Sequence, residues 1–74
     1  MKLIIRFTVA SENIKKQLEN GSINTSEALI AYSNLKITLE TLVKIEYLKQ
    51  YDADRCRLVL DDLKKCIVKR IPYN

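Results

Sequence analysis

Lys2, Ile4, Arg6 and Thr8 alternate with Leu3, Ile5, Phe7 and Val9 at the start of a 74-residue chain. On an extended backbone the first set shares one face and the second set the other. Two cations and a hydroxyl on a single face offer hydrogen bonds to phosphates or to base edges in a major groove. A second basic group lies at the other end of the chain. Lys64, Lys65, Lys69 and Arg70 occur with no acid after Asp62, and they account for the whole net charge of +4. That run suits a nucleic-acid backbone, and it equally suits the negative end of a helix dipole.

Other chemistry lacks its residues. The chain has no histidine, so acid–base and nucleophilic catalysis built on imidazole have no base, and zinc loses its commonest nitrogen ligand. Cys56 and Cys66 are too far apart in sequence for a CxxC motif. On one helix they would stand roughly 15 Å apart, beyond the reach of a mutual disulfide. Both read as small buried hydrophobes. Neither an enzyme, a metal site nor a cofactor is expected. With 47% hydrophobic residues and no long apolar run or signal-peptide pattern, the chain reads as a soluble, intracellular (cytoplasmic) single domain without a membrane partner.

The elements that must position these residues follow from periodicity. Lys2–Val9 reads as a half-buried strand, rich in β-branched and aromatic side chains. Leu3, Phe7, Ala10, Ile14 and Leu18 also make a helical stripe. The strand is preferred because Ser11 looks like the N-cap of a fresh helix, Glu12 to about Asn20. It would be the only strand in the chain, and its unpaired edges point to an antiparallel ribbon with a second copy. Asn20-Gly21 supplies a helix stop. Asn24 or Thr25 caps the second helix, and Asn24 with Glu27 has capping-box spacing. With no Gly or Pro to interrupt it, that helix is expected to reach about Tyr51, packing through Ala28, Tyr32, Leu35, Leu39 and Leu42. Leu29, Ile30, Ile37, Val43, Ile45 and Leu48 give it further apolar faces, which implies burial on several sides and a dimer core. Asp52-Ala53-Asp54 reads as a break and cap. The third helix then runs to about Ile71, where Pro72 ends it, on a stripe of Cys56, Val59, Leu60, Leu63, Ile67 and Ile71.

One strand, a short helix, and the segment Gly21-Ser22-Ile23-Asn24-Thr25-Ser26-Glu27-Ala28-Leu29 opening a longer helix resemble the ribbon-helix-helix family of DNA-binding repressors. The match spans Lys2 to about Leu35. The resemblance implies a mostly α homodimer whose N-terminal strands pair into an intermolecular ribbon, with residues 1–50 as the ribbon-helix-helix core and 51–74 as a helical extension. A third helix of this kind is similar to an elaboration in members from spindle-shaped viruses of thermoacidophilic archaea. By position, Lys2, Ile4, Arg6 and Thr8 would face the bases of a pseudo-palindromic double-stranded DNA site, Arg6 meeting guanine through its guanidinium. Backbone N–H groups at Asn24, Thr25 and Ser26 would hold a phosphate. The third helix would most simply enlarge the dimer interface; alternatively, Lys64, Lys65, Lys69 and Arg70 would touch flanking phosphates. Ile30 and Ser33 depart from the family pattern, which often has a basic and a larger apolar residue there. The implied role is a transcriptional regulator. The competing expectation is a protein-interaction module, antitoxin-like or an inhibitor of a host protein.

Overall fold

The computed structural model describes residues 2–71, so Met1 and the Pro72 stop lie outside the described residues. Three α-helices make up the chain: α1 (Leu3–Glu19), α2 (Thr25–Lys44) and α3 (Gln50–Val68). No strand occurs among the described residues. The expectation of a mostly α chain with three helices is met; the N-terminal strand is replaced by the first two turns of α1.

The helical stripe is the pattern that prevails at the N-terminus. Phe7, Ser11, Ile14 and Leu18 are buried along α1, with Leu3 and Ile4 partly buried against the same core. A lone strand must find its backbone partners in another chain, whereas a helix satisfies them within itself from the first turn, where Arg6 N–H reaches the Lys2 carbonyl. Ser11 is therefore no cap: it sits mid-helix, 1% exposed, with its hydroxyl unpartnered. Lys2 is the N-cap and makes no side-chain cap bond.

The stop after α1 forms as expected. Asn20 N–H closes on the Lys16 carbonyl, and Gly21 takes a φ of 79°, where a side chain is disfavoured. The Asn20 side chain accepts from Ser22 N–H at 2.9 Å, tightening the turn. Asn24 then caps α2 in a complete capping box. Its side chain accepts from Glu27 N–H at 2.8 Å, and the Glu27 carboxylate accepts from Asn24 N–H at 3.0 Å. Such a cap contributes about 1 kcal/mol.

α2 ends at Lys44, well short of Tyr51. Its terminus is a Schellman motif without a glycine: Glu46 adopts a φ of 61°, Glu46 N–H bonds the Val43 carbonyl, and Tyr47 N–H bonds that of Leu42. The following break spans residues 45–49, so α3 begins at Gln50, before the expected Asp52–Asp54 cap, and ends at Val68 rather than Ile71.

α1 and α3 run parallel, with α2 antiparallel to both. Lys15 pairs with Asp62, and Arg57 pairs with Glu40 through two bonds of 2.9 and 3.2 Å. α3 is the centre of the fold: Ala53, Cys56, Leu60, Leu63 and Ile67 are buried along its length. By contrast, α2 buries only Ala28 and Leu39 fully. Each outer helix packs on α3, and they meet one another sparingly.

Candidate interaction face

The four residues expected to face DNA bases do not share a surface. At 100° per residue, Lys2 and Arg6 fall on one side of α1 and Ile4 and Thr8 on nearly the opposite side. Lys2 and Arg6 are exposed, Ile4 is half-buried, and the Thr8 hydroxyl donates to the Ile4 carbonyl at 2.7 Å. The shared face existed only for an extended chain.

The expected phosphate contacts fare differently. Lys64, Lys65, Lys69 and Arg70 are exposed, and none is in an ion pair among the described residues. The antiparallel register brings them to the same end of the bundle as Asn24, Thr25 and Ser26. At that helix start the Glu27 carboxylate already accepts from Asn24 N–H, so an anion there would meet a resident negative charge.

Electrostatics elsewhere serve the packing of helices. The Arg57 guanidinium holds the Glu40 carboxyl below its ordinary range, and the Lys15 ammonium does the same for Asp62. Asp62 raises Lys15 in return, with burial opposing. Burial pushes the Cys56 thiol up, which leaves it inert, as a core hydrophobe should be; Cys66 is half-buried and free. No group of side chains that could hold a metal occurs among the described residues, and no described helix is long and apolar enough to cross a membrane.

Two clefts flank the N-terminal half of α1. One, of about 330 Å³, lies against α3 and the preceding loop, between Lys2, Ile4, Leu48, Asp52 and Arg55. Arg55 there stacks over Tyr51 at 5.8 Å from the ring centre. The other, of about 280 Å³, opens between α1 and α2 and is lined by Leu3, Arg6, Phe7, Ala10, Leu35, Thr38 and Leu42.

Away from the cleft, α2 presents an unusual helix face. Looking outward from α2, Ile30, Asn34, Ile37 and Thr41 succeed one another at helical spacing, all exposed. Ile30 and Ile37 keep 63% and 64% of their surface in solvent. The internal charges of α2, Lys36 and Glu40, lie on its α3 side, where Glu40 meets Arg57. Glu27 and Lys44 stand at the two ends of the outward face, and no charge lies between them on it. In the sequence these isoleucines read only as additional apolar positions to be buried; the lack of intervening charge, with Ile30 and Ile37 one heptad apart, was the signal for a seam.

Compared with protein-family models, with curated proteins and with solved structures, the chain finds no match.

Proposed function

We propose that this chain is a protein-interaction module, working through the outward face of α2 and the apolar cleft beside it. One observation carries this: a twenty-residue helix exposes two isoleucines on a face free of charge between Glu27 and Lys44. Protein surfaces ordinarily carry about 25–35% charged residues, and a continuous uncharged face with exposed branched apolar side chains marks a site of association. A separate apolar cleft, lined by Leu3, Phe7, Leu35 and Leu42, lies between α2 and α1.

The test is capture of binding proteins from source-cell extract, together with sedimentation, for the wild type and the Ile30→Lys/Ile37→Lys variant. Both substituted positions are exposed, so helical content should be unchanged. Every association of the wild type should be lost in the variant. Associations that survive the double substitution would overturn the proposal.

A second reading, binding of double-stranded DNA, is favoured by the four exposed cations at the end of α3. It would rest on phosphate contacts from Lys64, Lys65, Lys69 and Arg70 rather than on a ribbon. Pairing Lys2–Val9 with a second copy would require the first two turns of α1 to unfold. Titration of a labelled duplex over a salt series tests it: Lys69→Ala should lower the log–log slope by about one. An unchanged slope would return the tail to stabilising the helix terminus.

A further inference from the structure

We infer that the occupant of the α2 face is a second copy of the same chain, laid antiparallel along α2 about a two-fold axis. This rests on the interaction reading above and names its partner. The first support is shape. The molecule is a thin layer, 41 × 25 × 15 Å, with a radius of gyration of 12.8 Å, against about 11 Å for a compact chain of this length. It exposes 5395 Å². A folded monomer of this mass exposes about 4,700 Å². The excess, roughly 700 Å², is close to one partner's share of a standard interface, about 800 Å².

The second support is that the face complements itself. A two-fold axis lying between the two copies, perpendicular to α2 and level with the Leu35–Lys36 bond, sets Ile30 against the partner's Thr41 and Asn34 against the partner's Ile37. Each isoleucine thus meets a smaller side chain, the alternation that lets two helices interdigitate. At each end of the seam Glu27 comes level with the partner's Lys44 and faces it across the seam, and the pair occurs twice by symmetry. The capping box already fixes the Glu27 carboxylate, with Oε1 committed to Asn24 N–H and Oε2 left for the ammonium. Parallel pairing would oppose Glu27 to the partner's Glu27 and Lys44 to the partner's Lys44, and like charges at both rims disfavour it. Charge placement therefore selects one orientation.

Cysteine cross-linking in a Cys66→Ser background tests both the occupant and its direction. Oxidation of an equimolar mixture of Ile30→Cys and Thr41→Cys chains should give a covalent dimer. Either variant alone should stay monomeric under denaturing, non-reducing conditions, because like positions are separated by roughly 16 Å along antiparallel helices. In the wild type, Lys44→Glu should weaken association about fivefold or more, and added salt should weaken it in the same direction. Cross-linking of each single variant to itself would overturn the antiparallel arrangement. No cross-link in any mixture would overturn self-pairing altogether. If the Ile30→Lys/Ile37→Lys variant then still loses a captured protein, the interaction reading stands while this inference falls; if it loses nothing, both fall.

Discussion

Ser11 is the residue most out of keeping with its surroundings. Its hydroxyl is buried in the α1–α3 core with no hydrogen-bond partner. An unpaired buried polar group costs free energy that an isosteric apolar one does not, and alanine is also the better helix former. Ser11→Ala should stabilise the chain by about 1 kcal/mol. The check is a urea midpoint that rises at unchanged slope. A lower midpoint would mean that the hydroxyl has a partner in solution. Glu46 makes the opposite kind of point, since its backbone sits where L-residues are strained. Glu46→Gly should stabilise by about 0.5–1 kcal/mol and Glu46→Val should destabilise, both read from thermal melts. Equal melting of all three chains would show that the turn is not held in that conformation.

At the scale of elements, two ion pairs tie the outer helices to α3. Glu40 and Asp62 both titrate lower in the folded chain than their ordinary values of 4.5 and 3.8. As pH falls, the unfolded chain takes up these protons first. The stability they contribute is complete above the ordinary values and is lost as acid carries the pH through the folded ones. Urea midpoints at pH 6 and pH 3 should therefore differ, by less in the Lys15→Gln/Arg57→Gln variant. An equal fall in both chains would assign acid sensitivity to other carboxylates. The pairs lie at the surface, so salt should diminish the difference.

The same scale separates what was legible in the sequence from what was not. Asn20-Gly21 and the Asn24–Glu27 box were legible because their chemistry is local: a glycine at positive φ and two reciprocal hydrogen bonds. The α3 stripe was legible because Cys56, Leu60, Leu63 and Ile67 keep one period throughout. Residues 3–9 satisfy both periods, and the choice depends on α3, which lies too far along the chain to inform a local pattern. The end of α2 was hidden for a related reason, since the left-handed residue that closes it is a glutamate where glycine is the usual mark. The base-reading set Lys2, Ile4, Arg6 and Thr8 followed from the strand and disperses with it.

Over the whole molecule, one helix is buried along its length and another is half covered. Seventy-four residues supply a core around α3 but leave α2 with a charge-free outer face. Small chains commonly complete such a core by association. Self-pairing would cover Ile30 and Ile37 in both copies and leave the basic ends of α3 outside the seam, available to an anionic partner. Sedimentation equilibrium of the wild type beside Ile37→Lys, across the micromolar range, tests this most directly. Two-fold pairing predicts a wild-type mass rising to twice the 8.6 kDa chain mass, with the variant held at 8.6 kDa and its helical content intact. A wild-type chain that stays at 8.6 kDa throughout would contradict it.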